Sequence, residues 1–496
     1  MADTADPLVL AIDAGGTAVK VALVAPDGRV IAQRQAAVET QHLADGRVER
    51  DGRAFWQATA QAIRALLADG AAARLVAVGC TGFGNGIFLV DAAGHPTRPG
   101  IVSVDHRAQP LVDRLAREGR HDALSALNGH RLWGGQTVMQ LAGLAETEPE
   151  VMARTRWGLA CKDFLRFCLT GAALTDPTDA SGGGLMDLAT GGYATALLQD
   201  LGRAELLEKL PPIVPSSAVA GQISARAAAE TGLPEGLPVA GGMMDVAACA
   251  LGAGVTAGDR LVMIAGTWAI NGLEVADTLP GRPPILNMIH RDGAARLVAE
   301  GSPSSAANLG WYLDRALGAR LTLAEAMAQM AASPVAVRRG HFLPYIHGPK
   351  PRQGAFLGLG ATDDAGSMIR AICEGVAFQH RRHAEEILPH AAGLWPAAIR
   401  LTGGAARSPH WAQVFADICG RPVEVVAAEE VGALGVAICA AVAGGLYPGL
   451  TEAAQAMSRI GRTHLPNAAH AGFYEERYQE FQRLDRGMLE LCAAMS

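Results

Sequence analysis

Hydrophobic and polar positions in the first part of the chain alternate as they do in a layered α/β domain. Four apolar or alternating runs have the length of β-strands, at residues 8–12, 19–24, 30–35 and 75–80. A Pro-Asp-Gly turn at residues 26–28 separates the second run from the third. Residues 56–67 instead carry apolar side chains at helical spacing. This order predicts an α/β domain with a mixed, partly antiparallel sheet.

The second half of the chain repeats this order. Strands are predicted at residues 261–265, 269–274 and 399–402, and helices at residues 306–317, 323–331, 367–387 and 409–419. A chain of 496 residues also exceeds what one hydrophobic core usually supports. We therefore predict two similar domains, with residues 1–244 in the first and residues 245–496 in the second.

A glycine-rich turn follows the first strand of each half. The sequence DAGGT occupies residues 13–17, and the sequence AGT occupies residues 265–267. Glycine removes the side chain from the turn, so backbone N–H groups can point at an anion, and each turn ends in a threonine hydroxyl. One such turn usually marks only a bend. Two of them, one in each half, predict paired domains that bind a polyphosphate, and so a nucleotide-dependent phosphotransferase.

Charge and cysteine content narrow the class of protein. The 42 Lys and Arg residues against 49 Asp and Glu residues give a net charge of −7, whereas nucleic-acid and membrane-surface binders need a basic patch. The eight cysteines have no CxxC motif, which indicates reduced thiols and a cytoplasmic protein.

The acidic first residues do not resemble a signal peptide. The apolar residues 431–446 are too few to span a bilayer, and we expect them to form a buried helix.

Asp245 is the strongest candidate for a catalytic residue. It follows an apolar run that ends in two glycines and two methionines, and it precedes the small residues of a predicted helix. An aspartate at this place can be the N-cap of the helix. It can equally be the carboxylate that orients and deprotonates the attacking hydroxyl in a sugar kinase, because it lies at the predicted domain junction. Position alone leaves both interpretations open.

Two places carry residues of metal-binding type. Asp13 can open a turn through its own hydrogen bonds, or it can hold the Mg²⁺ ion of ATP beside the first glycine turn. His380 and His383 are spaced like metal ligands, but the sequence offers no third ligand near them. We therefore interpret Asp13 as the candidate metal ligand and assign the two histidines to a solvated helix face.

Three further residues are candidate contacts to a polyol. Asn85 lies in a glycine-dense loop, and Arg107 ends a polar triplet that follows a predicted strand. Each can be a surface loop residue or a hydrogen-bonding partner of a sugar hydroxyl. Trp133 can stack on a sugar ring, although a lone tryptophan is more often part of a core.

Eight short segments occur in the order in which the FGGY carbohydrate kinases carry their motifs. They are residues 13–20, 162–171, 241–245, 266–269, 354–359, 374–378, 402–405 and 432–437. The chain resembles this family over nearly its whole length. The resemblance implies an actin/hexokinase-like (ribonuclease H-like) α/β fold with a mixed sheet in each of two domains and a cleft between them. Residues 103–108, 266–269, 300–305 and 308–311 are similar to the L-xylulose kinase-like group, whereas residues 161–164 and 175–177 are also similar to erythritol kinases.

The resemblance also implies roles for individual residues. Asp245 aligns with the catalytic base of the family and with a substrate contact. Phosphate and nucleotide contacts of the family align with Thr17, Gly266, Thr267, Gly310, Gly404 and Ser408. Sugar contacts align with Asn85, Arg107 and Trp133, and the metal position with Asp13. The first domain would then supply the sugar side and the first phosphate turn, and the second domain the nucleotide side.

The implied activity is transfer of phosphate from ATP, with Mg²⁺, to a small-molecule sugar or polyol. A ketopentose such as L-xylulose is the expected acceptor, and erythritol or another polyol is the alternative. The pair Gly84-Asn85 stands where D-xylulose kinases typically carry Met-His, which argues against D-xylulose. A non-catalytic sugar sensor of the same fold is the competing class, and the presence of Asp13, Thr17, Asp245 and Thr267 disfavours it. A hydrolytic ATPase of the same fold is a third possibility, which the match on the sugar side disfavours. A homodimer is one assembly that the resemblance allows, with neither nucleic acid nor membrane as a partner.

Overall fold

The computed structural model describes residues 6–278, 282–337, 340–347, 352–393 and 395–494, which form two compact units. Unit 1 draws its residues from Met1–Thr256, Ala276–Val298 and Glu430–Arg459. Unit 2 draws its residues from Ala257–Val275, Ala299–Glu429 and Ile460–Ser496. Each unit therefore combines segments that are distant in sequence. The predicted domain division between residues 244 and 245 stays a prediction.

Strands and helices alternate through much of the chain. The strands are β1 (Leu8–Ala14), β2 (Ala18–Val24), β3 (Val30–Ala37), β4 (Gln41–His42), β5 (Val48–Arg50), β6 (Leu75–Gly82), β7 (Phe88–Val90), β8 (Gly100–Ile101), β9 (Trp157–Leu159), β10 (Val219–Gln222), β11 (Pro238–Ala240), β12 (Met243–Met244), β13 (Arg260–Ala265), β14 (Ala269–Val275), β15 (Leu286–His290), β16 (Ala295–Ser302), β17 (His341–Leu343), β18 (Ala355–Leu357), β19 (Ala398–Thr402), β20 (Val423–Val426) and β21 (Ile460–His464). The helices are α1 (Gly52–Leu66), α2 (Gln109–Arg117), α3 (His121–Asn128), α4 (Thr137–Thr147), α5 (Pro149–Arg154), α6 (Cys161–Thr170), α7 (Pro177–Gly182), α8 (Thr195–Asp200), α9 (Ala225–Thr231), α10 (Asp245–Gly252), α11 (Ala307–Trp311), α12 (Leu323–Ala332), α13 (Ala365–Ile387), α14 (Pro409–Cys419), α15 (Val431–Ala443), α16 (Leu450–Met457) and α17 (Ala471–Ala494).

The main sheet of unit 1 is mixed. Its strands follow the order β10-β11-β6-β1-β2-β3, with β12 also paired to β6. The central strand β1 runs antiparallel to β2 and parallel to β6, and its apolar side chains are buried. The turn between β1 and β2 is the first glycine turn, so the polar end of β1 and this turn lie at one edge of the sheet.

Two helices of unit 1 pack together because glycine lets them approach closely. A Cβ atom at Gly435 of α15 would lie 1.8 Å from the backbone oxygen of Ala248 in α10. No side chain fits at that distance, so the close contact of the two helices requires glycine at this position. Helix α15 also packs on β1 and β6. The first residue of α10 is thereby held close to the end of β1.

The strands of unit 2 include neighbours of a second mixed sheet, in the order β14-β13-β19-β20-β21. Strand β13 runs antiparallel to β14 and parallel to β19. The second glycine turn joins β13 to β14, as the first joins β1 to β2. The two halves thus share a hairpin with a glycine turn and a parallel third strand, which is the repeated order that the sequence predicts.

The prediction of a solvated face at His380 and His383 is wrong. Both side chains are buried, because α13 is enclosed on most of its circumference. The Nδ1 atom of His380 lies 2.7 Å from Oδ1 of Asn271, and its Nε2 atom lies 2.9 Å from Oγ of Ser305. Burial lowers the pKa of His380 to about 3, so the ring is neutral at physiological pH. These histidines belong to the polar interior of unit 2.

The prediction of a buried helix is confirmed for the apolar segment, and most of the cysteines are buried as predicted. The segment 431–446 forms the buried helix α15, which ends at Ala443. Among the described residues, no helix combines the length and the apolar character needed to cross a membrane. All eight cysteines are free thiols, and six of them are buried.

Candidate functional site

Asp13 lies near the end of β1, opposite Lys20 of β2 in the sheet register. Its carboxylate is partly exposed, and a Cβ atom at Gly432 would approach its Oδ2 atom to 3.0 Å, which places the group against the first turn of α15. Burial raises the pKa of Asp13 to about 7, the charge of Asp245 adds to the rise, and Lys20 opposes it. The Lys20 Nζ atom is already 2.6 Å from Oε2 of Glu430. The negative charge of Asp13 is therefore only partly compensated.

Asp245 is the first residue of α10, and Met244 occupies the N-cap position. Its Oδ1 atom accepts a hydrogen bond from the N–H of Val246 at 2.8 Å. Burial raises the pKa of Asp245 to about 6, and hydrogen bonds from the N–H groups of Val246 and Gly84 oppose the rise. The carboxylate keeps a partly exposed face. It is consequently ionised at neutral pH, yet more basic than an ordinary aspartate.

The chain that leads into α10 is held by side chains from other elements of unit 1. The Met244 N–H donates to Oγ1 of Thr178 at 2.8 Å, and this hydroxyl donates to Oδ2 of Asp176 at 2.9 Å. The Arg166 Nη1 group donates to the carbonyl oxygen of Gly241. Two buried anchors thus fix the segment that positions the start of α10.

Arg166 and Asp176, which form or hold these anchors, belong to a buried ionic group that we call the Lys162 cluster. It contains two cations and three carboxylates, namely Lys162, Asp163, Arg166, Asp176 and Asp179. The Lys162 Nζ atom lies 2.5, 2.9 and 3.0 Å from oxygens of Asp163, Asp176 and Asp179, respectively. Burial opposes ionisation of Asp176, but the ammonium of Lys162 together with hydrogen bonds from Ser216 and Thr178 outweighs it, so the pKa of this carboxyl is lowered. Burial together with the charges of the other two carboxylates raises the pKa of Asp179 to about 8, against the attraction of Lys162.

Of the predicted sugar contacts, Asn85 is the one that the structure places beside Asp245. A Cβ atom at Gly84 would lie 1.7 Å from Cε of Met244, so the turn containing Asn85 packs on the residue before Asp245. Asn85 adopts a left-handed conformation with φ of 60°, and its Oδ1 atom accepts the N–H of Thr137 at 3.3 Å. That bond ties the turn to the first residue of α4.

Arg107 and Trp133 have other neighbours. The Nη2 group of Arg107 donates to Glu49 at 2.8 Å and to Asp105 at 2.7 Å. The ring of Trp133 lies against that of His106, with 5.5 Å between the centroids. Arg107 lines a cavity of about 650 Å³ whose other charged lining residues are Arg47, Glu49, Arg98, Arg114, Glu146 and Glu148. Asp245 and Asn85 are not among the residues that line this cavity.

The first glycine turn exposes its tip. The N–H of Gly15 donates to the backbone oxygen of Ala18 at 3.0 Å and closes the turn. Gly16 and Thr17 are exposed, and a Cβ atom at Gly16 would meet no other atom within 4 Å. The turn therefore has open space in front of its backbone, as an anion-binding turn requires.

In unit 2 the second glycine turn packs against another glycine turn. The parallel strands β13 and β19 end side by side, at Ala265 and Thr402. A Cβ atom at Gly403 would lie 2.7 Å from the backbone of Ala265 and 2.9 Å from N of Gly266. Thr267 is exposed at the tip of its turn. The predicted phosphate contacts at residues 266 and 267 thus lie beside the glycine pair that follows β19.

The predicted nucleotide contacts are distributed around this pair. Gly404 follows at once, and a Cβ atom there would lie 3.7 Å from Cβ of Ala306, the residue before α11. Gly310 is an exposed residue of α11. The Oγ atom of Ser408 caps α14 by accepting the N–H of Trp411 at 3.3 Å. Unit 2 therefore brings residues 266, 267 and 404 together, while the hydroxyl of Ser408 already has a structural partner.

Within the described ranges, no three His, Cys, Asp or Glu side chains are grouped to hold a metal ion. Mg²⁺ in phosphoryl-transfer sites is bound by one or two carboxylates, water and the phosphates of the substrate, so a closed protein cage is not needed. The partly exposed, incompletely compensated carboxylate of Asp13 fits that requirement.

The sequence matches known carbohydrate kinases along most of its length. Residues 8–252 match the N-terminal domain of the FGGY family of carbohydrate kinases, and residues 261–444 match its C-terminal domain. The L-xylulose/3-keto-L-gulonate kinase of Escherichia coli (strain K12) is 33% identical over 482 residues, which cover 96% of each chain. The erythritol kinase of Brucella abortus (strain 2308) is 31% identical, with 96% of this chain and 95% of that protein covered.

A solved structure agrees with these relationships. The crystal structure of xylulose kinase from Rhodospirillum rubrum superposes with a TM-score of 0.87 and 26% identity, and covers 98% of this chain and 100% of that chain. The α/β fold of actin/hexokinase-like type, with a mixed sheet in each of two sheet-containing domains, is thereby confirmed.

Proposed function

Since the chain belongs to the FGGY family of carbohydrate kinases and is a sugar phosphotransferase, we propose that it transfers the γ-phosphate of ATP to a hydroxyl of a ketopentose such as L-xylulose. Asp245 acts as the general base. The observation that carries this proposal is the placement of Asp245, a partly exposed carboxylate of raised pKa, beside Asp13 and the turn that contains Asn85.

The reaction requires a base that is ionised at neutral pH and close to the substrate hydroxyl. With a pKa of about 6, Asp245 meets the first condition and holds a proton more readily than an ordinary aspartate does. The hydroxyl oxygen forms a bond to the γ-phosphorus while the bond between that phosphorus and the bridging oxygen of ADP breaks. The proton of the hydroxyl passes to Asp245, and ADP leaves with the electron pair of the broken bond.

The nucleotide contacts are assigned to the glycine turns of both units. Thr17 in unit 1 and Gly266 with Thr267 in unit 2 would donate hydrogen bonds to phosphate oxygens. Gly310, Gly404 and Ser408 would lie near the adenosine, where small residues leave room for it. Asp13 would hold Mg²⁺, which neutralises charge on the phosphates and on the transferring group.

The acceptor is assigned from the names of relatives and from one residue pair. The E. coli relative is named for L-xylulose, and Gly84-Asn85 offers an amide with little bulk beside Asp245. Arg107 and Trp133 complete the sugar side as proposed contacts. Erythritol is the second candidate acceptor, because an erythritol kinase matches at 31% identity. The free thiols and the acidic charge support a cytoplasmic protein.

A coupled ADP-release assay over pentuloses, tetritols, glycerol and hexuloses tests this proposal. We expect Mg²⁺-dependent ADP release with L-xylulose or a similar ketose to exceed release with D-xylulose, and to exceed release without sugar by at least tenfold. Release that does not depend on any sugar would contradict the proposal and indicate an ATPase. Stoichiometric sugar binding without turnover would indicate a sensor. Erythritol as the best acceptor would change the substrate and leave the base and the nucleotide assignment intact.

A further inference from the structure

A buried arginine contacts the back of the first glycine turn. Arg50, the last residue of β5, is 1% exposed. Its Nη1 group donates to the carbonyl oxygen of Gly15 at 3.2 Å, and its Nη2 group donates to the carbonyl oxygen of Gly16. The Nη2 group also donates to Oγ1 of Thr40 at 2.8 Å. One guanidinium therefore binds two successive peptide carbonyls of the turn.

These two bonds fix the direction in which the turn offers its N–H groups. In a trans peptide, the C=O of one residue and the N–H of the next point in opposite directions. With the carbonyls of Gly15 and Gly16 directed at Arg50, the N–H groups of Gly16 and Thr17 point away from it. In the described part of the chain, neither N–H donates to a backbone oxygen. Both residues are exposed, so two aligned donors face open space.

The guanidinium itself is held rigidly. Its Cζ atom lies 5.0 Å from the ring centroid of Phe55 and 5.2 Å from that of Phe83, within the range of cation–π attraction. Strand β5 pairs with β8 through Arg50 and Gly100, which fixes the backbone behind the side chain. A planar, forked donor suits two adjacent oxygens better than a single ammonium does.

We infer that Arg50 is a positioning residue for phosphate binding: it holds two peptide planes so that the N–H groups of Gly16 and Thr17 face the polyphosphate. The inference rests on the proposed function and adds a residue to its nucleotide site. The buried positive charge behind the turn also favours an anion in front of it. Gly16 has no side-chain donor, so this turn depends on its backbone orientation.

A comparison of the affinities for ATP and for adenosine tests whether Arg50 positions the turn for phosphate binding or only stabilises the fold. The Arg50→Met variant replaces the guanidinium group with an unbranched apolar side chain. In this variant we expect the KM for ATP and the calorimetric Kd for ATP to rise roughly 10- to 100-fold. The Kd for adenosine and the Kd for the sugar should stay within twofold, since neither ligand carries a phosphate. Arg50→Lys should give a smaller rise, because one ammonium reaches fewer of the oxygens.

Arg53→Met is the matched control, since Arg53 lies three residues further along the chain and is exposed. It should leave all four constants unchanged. If Arg50→Met does not fold, the Arg50→Lys variant decides by the same ratio of ATP to adenosine affinity. Unchanged ATP affinity in a folded variant, or an equal loss for ATP, adenosine and sugar, would overturn the inference. Failure of the proposed function would instead appear in the native protein as absence of sugar-dependent ADP release.

Discussion

Unit 1 contains two groups of carboxylates that are chemically alike and electrostatically different. In the Lys162 cluster, three carboxylates surround a lysine that has no exposed side-chain area, and Arg166 adds a second positive charge. In the other group, Asp13 and Asp245 keep partly exposed faces, and Lys20, which lies opposite Asp13 in the sheet register, is already paired with Glu430. The first group has cations in direct contact with every carboxylate, and the second does not.

The pKa of Asp176 shows the difference, whereas burial and the charges of the two neighbouring carboxylates raise the pKa of Asp179 to about 8. Burial opposes ionisation of Asp176, yet the ammonium of Lys162 lowers its pKa. Burial raises the pKa of Asp13 to about 7 and that of Asp245 to about 6, with little to compensate. A carboxylate whose charge is neutralised by a neighbouring ammonium stabilises the fold as part of an ion pair. A carboxylate without such a partner can accept a proton or bind a metal ion. The two groups are linked by hydrogen bonds. The Thr178 hydroxyl donates to Asp176 and accepts the N–H of Met244, the residue before Asp245.

The largest effect is expected from removing the base. Asp245→Asn preserves the shape of the side chain but cannot take a proton, so kcat should fall by roughly 10²- to 10⁴-fold. Sugar and ATP dissociation constants measured by calorimetry should change little. Asp122→Asn is the control, because the Asp122 side chain is fully exposed, and it should leave kcat unchanged. Near-normal turnover of Asp245→Asn would place Asp245 with the structural carboxylates.

Removing the cation of the Lys162 cluster should affect folding rather than chemistry alone. Lys162→Met leaves three buried carboxylates without their main counter-charge, and we expect a loss of about 3–5 kcal/mol of unfolding free energy. Lys20→Met is the matched control, because the Lys20 side chain is 36% exposed and its pair with Glu430 is worth about 0–1 kcal/mol. Urea unfolding of both variants measures the contrast. Equal losses would show that the two groups do not differ as described.

The uncompensated carboxylate of Asp13 should make the free energy of unfolding depend on pH. Its pKa of about 7 lies above the usual value of 3.8, so the folded state retains a proton that the unfolded state loses between these pH values. The free energy of unfolding therefore decreases as the pH rises from about 4 to 7, because over this range the folded state binds a proton that the unfolded state has lost. Asp13→Asn should therefore be more stable than the native protein at pH 8 by about 1–3 kcal/mol, with the difference vanishing near pH 4. A less stable variant at pH 8 would contradict this expectation.

The smallest effect is expected at the link between the two groups. Thr178→Val keeps the shape of the side chain but removes the oxygen that accepts the Met244 N–H, and an unpaired buried N–H costs about 1–3 kcal/mol. If half of that cost raises the barrier of the reaction at the positioned base, kcat falls roughly two- to tenfold while the KM for the sugar changes less. Thr178→Ser restores the hydroxyl and should restore kcat. If Thr178→Ser has a kcat as low as that of Thr178→Val, the hydroxyl of Thr178 is not responsible for the loss of kcat.

Much of the fold could be predicted from the sequence because its signals are local. Alternating and apolar runs specify β1, β2 and β13, and glycine after a strand marks each turn. The Lys162 cluster could not be predicted from the sequence, since its two halves lie in different segments of the chain and meet only in the folded unit. The charged residues 162, 163 and 166 in an otherwise apolar helix were the available signal.

Two further features have no signal in the pattern of side chains. Arg50 binds backbone oxygens of Gly15 and Gly16, and backbone atoms are the same at every position. The return of residues 430–459 to unit 1 is a long-range event that periodicity does not encode. The arginines next to the histidines of α13 predict a solvated helix face, whereas tertiary packing encloses the ring of His380.

The pH dependence of kcat/KM for the sugar tests the central claim most directly, namely that Asp245 reacts as an uncompensated carboxylate. The measurement uses the native protein at saturating ATP and Mg²⁺, with ADP release followed from pH 8.5 to pH 5. With a pKa of about 6, protonation of Asp245 should make kcat/KM fall tenfold for each pH unit below about 6. A profile that stays flat down to pH 5 in a folded protein would contradict the account.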